Sequence, residues 1–217
     1  MMNNFEQYMV LISEGWKEKY QAILTEEHLQ SLSLNIQQYQ AKTLECNLPY
    51  FNEEVKINRD EIFNQFINIF NNNDSDEDKA KQLEAIPFED WLIVLGQRLT
   101  SASIRDENAI PPLASVLIEA CQEPFNEEIT IAQRAWEKHT GRMGDDFWGE
   151  VKGNTLQKQE KVMQKIHYIL ENKTWWNVFF HYKHGLVFEI REKDGHGIRW
   201  SHGREKLIGF LEKFINE

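Results

Sequence analysis

The sequence predicts an α+β fold, predominantly α-helical, with a C-terminal three-strand antiparallel meander covered by a terminal helix. Two observations predict it. Apolar residues recur at helical spacing up to about residue 172, and beyond Lys173 the chain changes to β-branched and aromatic segments, WWNVFFHY, LVFEIREK and GIRWSHG, separated by KHG and DGHG. A chain of 217 residues is long enough to bury a core without staples. We expect a single domain, helical over 1–172 and meander plus helix over 174–217.

Within the first 57 residues, Phe5 to Ile23 reads as one helix. Thr25 caps a second with Leu29, Leu32, Ile36 and Tyr39 as its stripe, although SLSLNIQ also alternates with period two and leaves a strand open for 29–41. NRDEIFNQFINIF, starting at Asn58, sets Ile62, Phe63, Phe66, Ile67 and Phe70 on one face, and Glu61 completes a helix-start pattern with Asn58. NNNDSDED, at 71–78, is a solvated loop or the start of the next helix. Its DxDxD does not make a calcium loop, because Lys79 and Ala85 occupy the places that need glycine and glutamate.

Pro87 opens a helix with Phe88, Trp91, Leu92, Leu95 and Leu99 on one side. Pro111 and Pro112 introduce another, carrying Leu113, Val116, Leu117, Ala120 and Cys121, which Pro124 ends. From Asn126 to Gly141 a capping asparagine precedes two acids, and Lys138 and His139 sit where the helix dipole favours cations. Leu156, Val162, Met163, Ile166, Ile169 and Leu170 mark a helix over 154–172. In the meander, Leu186, Phe188 and Ile190 alternate with Val187, Glu189 and Arg191, so one face is apolar and the other partly polar. Leu207, Leu211, Phe214 and Ile215 suggest a closing amphipathic helix.

Composition bounds function. Two cysteines, Cys46 and Cys121, without CxxC spacing suit a reducing compartment, and the first twenty residues lack a basic, then uninterrupted apolar, leader. The densest apolar run, WLIVLG at 91–96, is far short of the ~20 residues of a membrane span. A cytoplasmic protein without membrane contact is expected. The net charge of −11 resides in residues 1–180, with 17 Lys+Arg against 29 Asp+Glu, whereas 181–206 carry six basic and four acidic groups. Such a field repels nucleic-acid phosphates and favours basic proteins.

Chemistry concentrates in HYKHG and GHGIRWSHG, which hold His181, His184, His196 and His202. If the meander is right, His184 and His196 lie in turns at opposite ends of the sheet and share no metal. His181 and His184 form an HxxH pair without accompanying cysteines or carboxylates, so the metal reading is the lesser one. A second reading joins these histidines to Lys183, Arg191, Lys193, Arg199, Arg204 and Lys206 as a phosphodiester-cleaving face, with His181 and His202 as acid–base residues. Nucleophile-elbow and phosphate-loop motifs are absent, Cys121 falls on a buried stripe, and the adjacent Asp145 and Asp146 point in different directions.

Charge and the missing chemistry favour a non-enzymatic, cofactor-free inhibitor: a bacterial immunity protein that neutralises a basic toxin or nuclease. Asp74, Asp76, Glu77 and Asp78, with Glu123, Glu127 and Glu128, are its candidate contacts. The alternatives are a metal-dependent hydrolase or histidine-based phosphodiesterase on the C-terminal histidines, and an adaptor or chaperone docking a partner around Trp175 and Trp176.

Overall fold

Helix-starting side chains divide the N-terminal half into short segments. The computed structural model describes residues 5–44, 49, 52–140, 146–203 and 205–214. Its chain forms two compact units, one of Met1–Glu45, Val55–Arg98 and Ile104–Ile110, the other of Cys46–Glu54, Leu99–Ser103 and Pro111–Glu217.

In the first unit the helix expected over 5–23 is three pieces: α1 (Phe5–Met9), α2 (Glu14–Tyr20) and a 3-10 turn (Gln21–Leu24). Ser13 causes the break. Its extended backbone lets Oγ accept from Trp16 N, while its own N and Oγ donate to the Glu84 carboxylate at 2.6 and 2.8 Å. Thr25 caps α3 (Glu26–Gln40), which settles 29–41 as helix rather than strand. Asn58 accepts from Glu61 N at the start of α4 (Arg59–Asn71), and Ser75 accepts from Asp78 N at α5 (Asp76–Ala85). The helix α6 (Phe88–Leu95) stops at Gly96, whose φ of 112° an L side chain resists. Leu99 is therefore buried beyond the helix, not on its stripe. The core is aromatic: Phe5 lies 4.9 Å from Phe70 and 5.9 Å from Trp91, which Trp16 and Phe66 also meet.

In the second unit, α7 (Ala114–Gln122) buries Leu117, Ala120 and Cys121 as expected and leaves Val116 exposed. The next helix, α8 (Ile131–Thr140), begins four residues later than Asn126 as a cap implied. Asn126 Oδ1 instead accepts from Glu128 N and Ile129 N in a turn, and Thr130 Oγ1 takes Gln133 N. A full capping box of Asn154 and Gln157 starts α9 (Thr155–Glu171).

Four strands follow: β1 (Lys173–His181), β2 (Gly185–Glu192), β3 (Gly197–Ser201) and β4 (Leu207–Leu211), an antiparallel meander in sequence order. The expected terminal helix is thus a fourth strand. Three strands would leave the β3 edge unpaired, and Gly209, a poor helix former, pairs opposite Arg199. Trp176, Val178, Phe188, Ile190, Ile198, Trp200 and Phe210 form one apolar face. The helices α7 and α8 pack on β4, and α9 on β2 and β3, so this face needs no further cover. Gly141, Ile215, Cys46, Asp145 and Arg204 lie outside the described residues.

Candidate functional site

The other face of the sheet carries polar groups that strand alternation and register bring together. Asn177 on β1 pairs with Glu189 on β2, which pairs with Arg199 on β3. Two residues along, Phe179, Val187 and Ser201 lie side by side, and His181 follows at the end of β1. Part of this face is covered. Asn177 Nδ2 donates to Ser103 Oγ at 2.8 Å, Phe180 N donates to Ala102 O, and Phe214 lies over Arg191 with the ring centroid 3.8 Å from Cζ. Asn177, Glu189 and Arg191 are buried, while Phe179, His181, Arg199 and Ser201 remain partly open.

Glu189 is the centre of this arrangement. Its Oε1 accepts from Arg191 Nε at 2.6 Å, and its Oε2 meets Arg199 Nε at 2.7 Å and Nη2 at 2.5 Å. Its side chain is only 2% exposed, against 6% for Arg191 and 16% for Arg199. A carboxylate so placed is stable only because two guanidinium groups satisfy it. The two arginines differ in use. Arg191 also donates through Nη1 to Gly195 O and Glu212 O and is committed to the fold; burial pushes its guanidinium below the ordinary arginine value. Arg199 is held by Nε and Nη2, and its Nη1 has no partner among the described residues. It is therefore an oriented cation with a free edge, the geometry that binds phosphate oxygens.

His181 stands at the open end. Its Nδ1 accepts from Lys183 N at 3.2 Å, which assigns the ring proton to Nε2 in the neutral form. Burial, then the charges of Arg199 and His184, holds its imidazole below the usual histidine value of 6.5. A neutral imidazole in the field of a guanidinium on the same face can accept a proton from a bound hydroxyl while the cation holds an anion of the same substrate.

The four histidines do not form one cluster. His181 and His184 stack at 4.9 Å, and His202 joins their end of the sheet, where its N donates to Leu186 O. His196 is at the opposite end, buried, stacked on Phe147 at 3.9 Å, with Nδ1 3.2 Å from Glu192 Oε1. Glu212 reaches it there and lies 2.6 Å from His139 Nε2. His139, expected as a cation at the end of a helix, thus has a carboxylate partner.

Both acidic stretches have local roles. Asp76, Glu77 and Asp78 occupy the first turn of α5, where the helix dipole favours acids, and Asp74 accepts from Gln82 at 2.7 Å. Glu123 caps α7 and its carbonyl receives Ile131 N, and Glu127 and Glu128 lie in the turn before α8.

Residues 118–212, from within α7 to just past β4, match the family model of the CdiA C-terminal tRNase toxin domain. This similarity covers less than half of the chain. No curated protein and no solved structure matches it. The match overturns the expectation of an immunity protein or toxin inhibitor, since the similarity is to a toxin and to an enzyme. The other two readings fare no better. Neither the metal-dependent hydrolase on His181 and His184 nor the phosphodiesterase with His181 and His202 as acid–base pair is what the match names, and no group of three or more potential metal ligands occurs among the described residues. The adaptor patch at Trp175 and Trp176 is buried, at 1% and 4% exposure.

The expected exclusion of nucleic acid rested on net charge, and similarity to a tRNase domain conflicts with it in part. Residues 118–212 hold 14 Lys+Arg and 15 Asp+Glu; the rest of the chain holds 10 against 20. The repelling charge is thus outside the matched stretch. No helix among the described residues is long and apolar enough to cross a membrane.

Proposed function

We propose that the second unit is an RNA-cleaving toxin domain acting on tRNA, with its reaction centre at the open end of the polar sheet face. The observation that carries this reading is the family match, which spans the four strands. The carboxylate, guanidinium and imidazole on that face give the chemistry a place.

Arg199 binds a bridging phosphate through its free Nη1, kept in line by Glu189. His181, neutral near pH 7, takes the proton from the 2′-hydroxyl of the nucleotide upstream. The 2′-oxygen then attacks phosphorus, the P–O5′ bond breaks, and the departing 5′-oxygen takes up a proton from solvent. The products are a 2′,3′-cyclic phosphate and a 5′-hydroxyl end. Arg199 opposes the charge that builds on the phosphoryl oxygens, a contribution on the order of 10²–10³ in rate for a preorganised donor. Glu189 is a positioning residue; its burial keeps it from the substrate. Such an enzyme works where tRNA is found, in the cytoplasm.

The test compares Arg199→Gln and His181→Ala with the unaltered chain on purified tRNA. Loss of cleavage at least a hundredfold in both, with circular dichroism unchanged, is expected. Full cleavage by both variants would place the reaction centre elsewhere.

A further inference from the structure

A second site lies on the helical side of the sheet, away from the polar face. A cavity of about 510 Å3 opens beside α9, with Trp136 and Trp148 at its base, Tyr168 on its wall, and Lys152, Lys161 and Lys165 around it. The two indoles are 1% exposed, and Trp136 Nε1 donates to Trp148 O at 2.9 Å, which ties the two residues together. Tyr168 is 41% exposed, with its ring centroid 6.2 Å from that of Phe147.

Glu150 also lines the cavity, and only one of the three lysines is within salt-bridge distance of it. Lys152 pairs with Glu150, an exposed contact of small worth. Lys152, and after it Lys161, hold the Glu150 carboxyl below its usual value. Lys161 Nζ donates to Lys152 O at 2.9 Å, Lys165 Nζ stands 4.6 Å over the Phe147 ring, and neither Lys161 nor Lys165 makes a salt bridge among the described residues. Lys161 and Lys165 are one helical turn apart, a spacing at which like charges repel. Retaining two ammonium groups together at the mouth of a cavity with aromatic walls, in a chain of net charge −11, favours an anion that also carries an aromatic ring.

We infer that this cavity binds a phosphorylated nucleoside, its base against Tyr168 and its phosphate between Lys161 and Lys165. The size suits one nucleotide. Two sources share that chemistry, a free nucleotide and a nucleotide of an RNA chain. The second rests on the RNA-cleaving reading, and the first stands without it.

Calorimetric titration of the full chain with adenosine 5′-monophosphate, and separately with tRNA under the His181→Ala background, tests the site. Binding is read without cleavage in both arms, so failure of the reaction centre does not mask the result. Tyr168→Ala and Lys161→Glu/Lys165→Glu are each expected to weaken binding about tenfold or more in the arm that supplies the natural ligand, the tyrosine change by lost stacking. Weakening with the monophosphate identifies a free nucleotide, and weakening with tRNA alone identifies the RNA chain. Loss on charge reversal but not on Tyr168→Ala would reduce the site to general attraction and overturn the inference. So would unchanged affinity in both arms with thermal stability retained.

Discussion

Replacing Glu189 by Gln removes the charge that two guanidinium groups share and nearly preserves the shape. The variant keeps one acceptor oxygen, so one arginine loses its charged partner and faces an amide N–H2 that only donates. Removing one member of a buried ion pair costs about 3–5 kcal/mol. Arg191 retains Gly195 O and Glu212 O, and Arg199 is partly open to water, which places the expected loss near the lower end, about 3 kcal/mol. With a urea dependence of about 2 kcal/mol/M, the midpoint of the transition that includes the second unit falls by about 1.5 M. Urea unfolding followed by circular dichroism measures this. The double-mutant cycle with Arg199→Gln should return a coupling of about 1–2 kcal/mol, because the two residues touch. A loss below about 1 kcal/mol with no coupling would show that Glu189 is not clamped as described, and the argument for an oriented Arg199 would fall with it.

The remaining predictions concern charge, thiol reactivity and local geometry. His181 has a folded pKa below its unfolded value, so it contributes stability that is present above about 6.5 and lost as pH falls through the folded value; its exposure keeps that effect small. Cleavage should accordingly hold through neutral pH and decline only below the ordinary histidine value, and Arg199→Gln should move that decline to higher pH; a pH–rate profile centred well above 7 contradicts it. Burial pushes the Cys121 thiol up to about 12, against a weaker opposing contact from Trp200, so iodoacetamide at pH 8 should leave it unmodified until denaturant is added, as peptide mass mapping will show. Asn154→Ala removes the α9 cap and should cost about 1 kcal/mol in thermal or urea unfolding. Gly197→Ala places a methyl against Ile190 O and Arg191 Cγ, where β2 passes β3, and should destabilise by about 2 kcal/mol or more; a neutral result would mean the strands separate there at no cost.

Local signals told most about the helices. Asn58, Ser75, Thr25 and Asn154 begin helices because their side chains satisfy the first free N–H groups, and that chemistry is readable from sequence. Ser13 was harder to read, since its break in the first helix depends on Glu84, seventy-one residues away. The terminal strand was missed for a similar reason. LIGFL has apolar residues at helical spacing, and only the unpaired edge of β3 makes a strand the better use of them. Glu189 and Arg199 are legible in the alternation of β2 and β3, but their pairing depends on the strand register, which net charge and composition do not reveal. Net charge is a poor guide in a chain whose charge is segregated: the matched stretch is close to neutral.

The central claim is that the polar face of the sheet cleaves RNA. Its most direct test is the full chain incubated with tRNA, with the new 3′ ends identified by mass spectrometry. The account predicts 2′,3′-cyclic phosphate ends that disappear in His181→Ala, whereas tRNA left intact by the unaltered protein, or 3′-hydroxyl ends in its place, would contradict it.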